Sequence, residues 1–242
     1  NGSQVFNLDD LILYENGKFA DSGQYADLPH YKVYDEIDLS SYVVSGVNHI
    51  AIIVWYYGVS SSTYYVGRPG LIFEIEQNSK IVRSSGTKVL CRKSKQYISN
   101  KNEMITTQLG LNFHVDLTEN SQWMVGDNHQ DFITAIIQED MPQKLLCREI
   151  KKLDVKPRVS GSIVCQGSFM YLPDGEHAGA KMQHAALSFY RLTEMGKENM
   201  EAIALERKNG EGIFFIVDLQ AETSGYVDFD LEVPEDCQME IG

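Results

Sequence analysis

Hydrophobic and polar residues alternate with a period of two along most of this chain. The segments that show the pattern are short, rich in β-branched and aromatic residues, and separated by Gly, Asn, Ser or Pro. They read LILYENGK, YKVYDEIDL, GLIFEIEQNSKIVRS, TKVLCRK, SGSIVCQGSF, MEAIALERKNGEGIFFIVDL and GYVDFDLEV. A period of two places alternate side chains on opposite faces of a strand, and closely spaced short strands are typical of β-sandwiches. The sequence therefore predicts an all-β, mainly antiparallel protein.

Two segments have a spacing that also fits a helix, GAKMQHAALSFYRL and QKLLCREIKKL. The second overlaps the polar stretch REIKKLD, which separates two groups of predicted strands. We expect this stretch to join two domains, a larger β-sandwich over residues 1–148 and a smaller one over residues 149–242.

The stretch DLSSYVVSGVNHIAIIVWYYG, residues 38–58, combines a turn with a long apolar run. Asp38 is expected to hydrogen-bond the backbone of the turn, Gly46 to adopt a positive φ, and Asn48 to close the loop. The run from Ile50 to Tyr57 is apolar on both alternating faces, which predicts a central strand covered on both sides. We therefore interpret this strand as part of the core and not as a catalytic strand.

Acidic residues outnumber basic ones, since 34 Asp and Glu stand against 21 Lys and Arg and give a formal net charge of −13 at pH 7. The average field of the protein repels nucleic acids and anionic membranes, so neither is an expected partner. Apolar runs are shorter than the roughly 18 residues of a membrane helix, which predicts a soluble protein and leaves cytoplasm and periplasm open as its compartment. The cysteines form no C-x-x-C pair, which favours free, buried thiols.

The sequence carries no familiar catalytic motif. It contains no G-x-S-x-G, no G-x-x-x-x-G-K-[ST], no H-E-x-x-H and no G-x-G-x-x-G before a helix. We therefore expect no catalytic residue and no cofactor in this chain.

One segment, WYYGVSSSTYY, is a candidate carbohydrate-binding platform. It supplies Trp55, Tyr56, Tyr57, Tyr64 and Tyr65. Flat aromatic rings with a polar edge can stack on the C–H faces of a sugar. The alternative is that these rings finish the core strand and cover the edge of the sandwich.

A second segment, DNHQD, is a candidate calcium loop. Asp127, Asn128 and Asp131 offer the oxygen ligands that calcium prefers. The segment lacks the Gly and the distal Glu of an EF-hand loop, and a solvated turn is the alternative.

The stretch LILYENGKFADSGQYADLPHYKVYDEIDLSSYVVSGVNHIAIIVWYYG resembles the jelly-roll module of glycoside hydrolases, in which a strand ends in NGK, a turn contains DL and G-x-N, and a strand reads IAIIV. Galactose-binding-like modules of β-galactosidases share this pattern. The later segments DFITAIIQ, LLCREIKKLDVKPRV and FFIVDLQAETSGYVDFDLEVPEDCQMEIG resemble, in that order, the region before the helical catalytic barrel of bacterial α-L-rhamnosidases. The resemblance implies an antiparallel jelly-roll, galactose-binding-like domain followed by a smaller β-sandwich.

The positions that carry this resemblance are turns and connectors, and we expect them to be structural. They are Asn16, Gly17, Lys18, Asp38, Leu39, Gly46, Asn48, Arg148, Ile150, Leu153, Asp218, Glu222 and Gly225. The chain departs from the family at Asp116-Leu117-Thr118, where rhamnosidases carry an Asp-Ala-Arg turn. Contacts made by that Arg are therefore not expected here.

In α-L-rhamnosidases the catalytic acid and base lie in an (α/α)6 barrel that follows these β domains, whereas this chain stops at CQMEIG. The resemblance therefore implies a non-catalytic fragment of a longer bacterial enzyme. Its implied main partner is the catalytic barrel of the same polypeptide, and its implied further ligand is a rhamnose-containing carbohydrate. Two alternatives stay open, a stand-alone carbohydrate-binding module and a complete small β enzyme with acids converging in a pocket.

Overall fold

The computed structural model describes most of the chain and divides it into two compact units, Asn1–Lys152 and Leu153–Gly242. The described residues are 3–7, 10–23, 31–61, 66, 68–98, 103–106, 108, 110–112, 114–119, 122–125, 129–139, 144–151, 156–170, 175–195, 210–223, 225, 227–233 and 235–242. The predicted domain bounds at residues 148 and 149 stay a prediction, because compactness alone does not test where an independently folding domain ends.

The described part of the first unit is built from short strands and one 3-10 turn, η1. They are β1 (Ser3–Asn7), β2 (Asp10–Glu15), β3 (Lys18–Gly23), β4 (Lys32–Ile37), β5 (Ile50–Trp55), β6 (Leu71–Gln77), β7 (Lys80–Ser84), β8 (Leu90–Cys91), β9 (Met104–Thr106), β10 (Gly110–Leu111), η1 (Gln122–Met124), β11 (Ile133–Thr134) and β12 (Leu145–Cys147).

These strands form two main sheets. One has five strands in the order β12, β4, β1, β6, β7, and the other has three strands in the order β3, β2, β5. The pairs β9 with β10 and β8 with β11 are short and antiparallel. Within the main sheets every pairing is antiparallel except β12 with β4, where Leu145 lies beside Lys32 and Cys147 beside Tyr34. The predicted all-β, mainly antiparallel class is confirmed.

The main core of the first unit lies between the two large sheets. Leu13 of β2, Ile37 of β4 and Phe73 of β6 are buried in one cluster, and Ile50 and Ile52 of β5 pack against it. Because β2 and β5 belong to one sheet and β4 and β6 to the other, this cluster makes the two sheets a sandwich. Burial of each large side chain contributes about 1.5–3 kcal/mol to that packing.

The opposite face of the three-stranded sheet is covered as well. Ala51 and Ile53 of β5 are buried together with Met124 of η1, and Tyr97 and Trp123 pack around them. Strand β5 is therefore covered on both faces, as its sequence predicts. It is not central, however, because in the described part of its sheet it is the last strand and pairs with β2 alone. An apolar pattern on both faces reports the layers above and below a strand and says nothing about its neighbours within the sheet.

The loop before β5 is built as its sequence predicts. The Asp38 carboxylate accepts hydrogen bonds from the N–H and the hydroxyl of Ser40 at 2.9 and 2.6 Å, and Gly46 has a φ of 102°. The Asn48 side chain accepts from the Val44 N–H at 2.8 Å and donates to the carbonyls of Val44 and Gly46. These bonds fix the loop against its own backbone.

Asn16, in the turn between β2 and β3, ties that hairpin to the same loop. Its amide donates to the Tyr42 carbonyl at 3.2 Å and to Asn48 Oδ1 at 3.1 Å, and its Oδ1 accepts from the His49 N–H at 3.0 Å. Asn16 has a φ of 50°, and Gly17 beside it has a φ of 75° and lies in contact with the Val125 side chain. Both conformations favour Asn and Gly over other residues, so the NGK turn is structurally specified.

The described part of the second unit contains one antiparallel sheet and one helix. Its elements are β13 (Ser162–Met170), α1 (Ala178–Leu187), β14 (Tyr190–Glu194) and β15 (Glu211–Asp218). The strand order is β14, β13, β15. Helix α1 begins after His177, whose Nδ1 accepts from the Ala180 N–H at 3.1 Å, and it ends before Ser188, whose hydroxyl donates to the Ala185 carbonyl at 2.7 Å.

Phenylalanine rings cover this sheet where it carries glycine. Gly167 of β13 lies opposite Phe214 of β15, and Gly212 lies opposite Phe169. In both pairs the ring occupies the space that a glycine Cβ would fill. Phe214 also stacks on Phe189, with ring centroids 3.7 Å apart. The glycines are therefore where the rings pack closest to the strand backbone.

Several local predictions are corrected by the structure. The candidate helix in GAKMQHAALSFYRL is confirmed as α1, but QKLLCREIKKL contains strand β12 instead of a helix. In GYVDFDLEV, residues 227–233 form no strand, and Val227, Phe229 and Leu231 stay exposed. Alternating apolar and polar residues form a strand only where the edge of a sheet supplies hydrogen-bond partners. Among the described residues, no sheet edge pairs with this segment.

The prediction of buried thiols is wrong. Cys91, Cys147 and Cys237 are exposed, Cys165 is half-buried, and no disulfide joins them. Spacing along the chain identifies metal and redox motifs but does not report the burial of an isolated cysteine. Among the described residues, no helix has both the length and the apolar composition that crossing a bilayer requires.

Candidate functional site

The predicted sugar platform falls partly on residues that the structure describes. Tyr64 and Tyr65 lie outside the described residues. Trp55, Tyr56 and Tyr57 are half-buried. The Trp55 ring meets Tyr57 at 5.8 Å between centroids. The platform itself is untested and stays a prediction.

Trp55 also belongs to the layer that covers the three-stranded sheet. Its ring meets Tyr97 edge to face at 5.3 Å, and Tyr97 packs against the buried Ala51 and Ile53. Burial raises the pKa of the Tyr97 phenol, and the nearby Tyr14 raises it further. Tyr97 therefore stays a neutral hydroxyl at neutral pH. The Trp55 and Tyr97 rings belong to the layer that covers the core, and this packing limits the ring surface that they could offer a ligand.

The predicted calcium loop is described at one of its three residues. Asp127 and Asn128 lie outside the described residues. Asp131 has a φ of 72°, and its carboxylate pairs with Lys95 Nζ at 3.1 Å, where both side chains are largely exposed. Within the described ranges, no three His, Cys, Asp or Glu side chains are grouped so that they could hold a metal ion. The calcium site stays a prediction.

A group of three side chains that the sequence did not suggest lies next to the candidate calcium loop in sequence through Phe132. It consists of Arg92, Trp123 and Phe132 and is here called the Arg92 notch. The Arg92 guanidinium carbon lies 5.1 Å from the centroid of the Phe132 ring and 5.8 Å from that of Trp123. The two rings lie 5.9 Å apart at 44°, and His129 meets Phe132 at 5.9 Å. The guanidinium thus lies beside both rings, at distances typical of cation–π attraction.

A buried ion pair joins strands β4 and β12. Arg148 Nε donates to Asp35 Oδ1 at 2.5 Å and its Nη2 donates to Oδ2 at 3.0 Å, a bidentate arrangement. The Asp35 and Arg148 side chains are only 4% and 11% exposed. Sequence reasoning placed Arg148 in a connector and missed Asp35, because the two residues are 113 positions apart and no local pattern links them.

An open depression of about 250 Å³ lies over this ion pair, with Tyr34, Glu36, Cys147 and Lys151 among its lining residues. Burial raises the pKa of the Tyr34 phenol, and the neighbouring Cys147 and Glu36 raise it further. Arg148 is neutralised by Asp35, so the pair acts as a cross-link in the floor of the depression and not as a free charge for a ligand.

Glu15, at the end of β2, is a second buried acid. Its side chain is 1% exposed, and its Oε2 has no hydrogen-bond partner in the described part of the chain. Removal from water raises the pKa of this carboxyl, and the nearby His49 opposes the rise. Glu15 adjoins the Asn16 turn, so a buried acid with a raised pKa lies beside the hydrogen-bonded loop.

Comparisons with known proteins show the fold. No family model matches the chain, and no curated protein matches its sequence. A crystal structure of a GH78 family rhamnosidase of Bacillus sp. GL1 is similar over 70% of this chain and 18% of that chain, with 22% sequence identity and a TM-score of 0.55. The likeness supports the all-β sandwich class, and this chain spans less than a fifth of the length of that rhamnosidase.

Proposed function

We propose that this chain provides non-catalytic β-sandwich domains of an α-L-rhamnosidase-like glycoside hydrolase. In this role the domains support the catalytic barrel of the same polypeptide and shape its substrate side. The observation that carries the proposal is the likeness of the backbone to a GH78 rhamnosidase over 70% of the chain. It is supported by the resemblance of the sequence motifs to the region before the catalytic barrel of α-L-rhamnosidases.

The end of the first unit supports a scaffolding role. Arg148 directly follows β12, and its bidentate bonds to Asp35 fasten the end of this unit to the middle of β4. The Arg148 N–H also donates to the Tyr34 carbonyl at 3.1 Å. Because Arg148 is fixed to β4, the polypeptide leaves the first unit at a defined position. A defined exit position suits a domain that supports another domain of the same polypeptide.

The second unit offers an apolar surface for a protein partner. Phe215 and Val217 of β15 are 39% and 51% exposed, and Leu219 just beyond the strand is 40% exposed. Side chains two residues apart on a strand point to the same face, so the three residues form one strip, here called the β15 strip. Exposed apolar strips of this kind are typical of contact surfaces between proteins.

The activity test compares residues 1–242 with the complete product of the gene that encodes them. We expect the complete product to hydrolyse an aryl α-L-rhamnoside and residues 1–242 to leave it intact. Hydrolysis by residues 1–242 that disappears when one of its own carboxylates is replaced would contradict the proposal. So would a complete product that cleaves no aryl glycoside.

A stability test addresses the partner. If the barrel contacts these domains only in the folded state, the melting temperature of the β domains should be higher in the complete product than in residues 1–242. Val217→Ser in the β15 strip should reduce that difference. The matched control is Val47→Ser, because Val47 lies in a loop of the first unit and is 78% exposed. Equal effects of the two substitutions would exclude the β15 strip as the contact.

A stand-alone carbohydrate-binding module is the second candidate function, favoured by the half-buried Trp55, Tyr56 and Tyr57. In that case rhamnose should raise the melting temperature of residues 1–242, and the barrel should not. Trp55→Ala should abolish the rhamnose effect. The two functions thus predict opposite effects of the barrel and of rhamnose on the melting temperature of the β domains.

A further inference from the structure

The basic residues of this acidic chain are unevenly distributed. No acidic residue occurs between Glu76 and Glu103, whereas this stretch contains Lys80, Arg83, Lys88, Arg92, Lys93, Lys95 and Lys101, a third of the 21 Lys and Arg of the chain. Strand β7 within it is exposed along its whole length. A local positive stretch in a chain of net charge −13 attracts anions that the rest of the surface repels.

Most described cations of this stretch form no ion pair with a described carboxylate. Lys95 pairs with Asp131. Among the described residues, the side chains of Arg83, Lys88 and Lys93 make no ion pair, and all three are exposed. The charge of Arg83, Lys88 and Lys93 is therefore not compensated by ion pairs within the described part of the chain.

Arg92 differs from these residues because it is held in place. Its guanidinium lies over two aromatic rings, at 5.1 Å from Phe132 and 5.8 Å from Trp123. Trp123 in turn packs against the buried cluster of Ala51, Ile53 and Met124. Contact with the two rings restricts the guanidinium, and the Arg92 side chain stays partly exposed.

The N–H groups of the guanidinium have no acceptor within the described part of the chain, where Arg92 makes ring contacts but no hydrogen bond. A planar guanidinium presents parallel donors that match the two oxygens of a carboxylate. Because the ring contacts already restrict Arg92, it loses less side-chain entropy on binding than a fully mobile arginine would. Among the described residues, no carboxylate forms an ion pair with Arg92, so a ligand carboxylate could take that place.

We propose that Arg92 binds the carboxylate of an acidic sugar, a uronate residue of a polysaccharide, and that the basic stretch around it attracts the polysaccharide chain. The assignment to a sugar rests on the proposed glycoside hydrolase function. Isolated carboxylates also suit this protein better than the dense phosphates of nucleic acid, because the chain as a whole carries a charge of −13.

The test is calorimetric titration of residues 1–242 with a galacturonic acid oligosaccharide and with its uncharged methyl ester. We expect the acid to bind and the ester not to bind. Arg92→Gln should weaken binding about tenfold or more, as expected for a hydrogen-bonded charge pair. Arg83→Gln is the matched control, since it removes the same charge from the same basic stretch, and it should weaken binding less than about twofold.

Arg92→Lys keeps the charge but loses the donor fork, and it should bind the acid more weakly than the parent while melting at a similar temperature. Equal losses from Arg92→Gln and Arg83→Gln, equal binding of acid and ester, or no binding of the acid would each overturn the inference. Inorganic phosphate that displaces the acid at equal concentration would mark a general anion site and overturn the assignment to a sugar.

These outcomes are separable from the proposed function. A complete gene product that hydrolyses rhamnosides, with a chain that does not bind the uronate, keeps the function and removes the Arg92 site. Binding through Arg92 in a chain whose complete gene product cleaves no glycoside removes the function and keeps the site.

Discussion

Removal of one partner from the Asp35–Arg148 pair should destabilise the first unit strongly. The pair is bidentate, at 2.5 and 3.0 Å, and its side chains are 4% and 11% exposed. Arg148→Met keeps much of the side-chain volume but leaves the Asp35 carboxylate buried without a counter-charge. Such an uncompensated charge costs about 3–5 kcal/mol. For a unit of this size that corresponds to a fall in melting temperature of roughly 6–20 °C.

The exposed pair between Lys95 and Asp131 is the matched control. It spans 3.1 Å, but its side chains are 58% and 60% exposed. Solvent screens such a pair, so Lys95→Met should cost at most about 1 kcal/mol. The measurement is denaturant unfolding followed by a probe of the first unit, with all variants at the same pH and salt concentration.

The double variant Asp35→Leu with Arg148→Met separates charge compensation from packing. Because both charges are then gone, it should recover most of the loss seen in Arg148→Met. Two results would refute the reasoning. One is an Arg148→Met cost no larger than that of Lys95→Met, and the other is a double variant at least as unstable as the single one.

Two further substitutions test buried polar groups. Burial raises the pKa of Glu15, so the folded chain holds that proton more tightly than the unfolded chain, and the stability that this carboxyl contributes is lost as pH rises through its folded pKa. Glu15→Gln should therefore gain stability relative to the parent as pH rises from 4 to 7 in thermal melts, and a difference independent of pH would contradict this. Asn16→Ala should cost about 2–4 kcal/mol through three lost hydrogen bonds and its positive φ, whereas Asn16→Gly should cost about 1 kcal/mol less because glycine tolerates that φ. Equal costs in urea unfolding would show that the φ angle does not matter.

Features that depend on neighbouring residues could be predicted from the sequence. Asp38, Gly46 and Asn48 behave as their turn chemistry indicates, and the segment around α1 has the spacing of a helix. The alternation in β5 correctly predicts cover on both faces. The turn and the helix depend on interactions within a few residues, whereas the pattern of β5 predicts that both faces are covered without identifying the distant residues that cover them.

Features that depend on distant partners could not be predicted. The parallel pairing of β12 with β4 and the contact of Asp35 with Arg148 join residues more than a hundred positions apart. The Arg92 notch draws its three members from three separate segments. A usable signal for the notch did exist, since the stretch without acids between Glu76 and Glu103 is visible in the sequence. The net charge of −13 is a sum over the whole chain and does not reveal this local excess of basic residues.

The parallel strand β12 also sets the order in which the first unit can be completed during synthesis. Asp35 is made 113 residues before Arg148, which at about 5–20 residues per second is a delay of roughly 6–23 s. During that interval β4 is an edge strand that carries an unmatched charge. Inward-pointing charges on edge strands are one way in which proteins block edge-to-edge association. We therefore expect Asp35 to disfavour association of the incomplete sheet with other chains until Arg148 is synthesised and pairs with it.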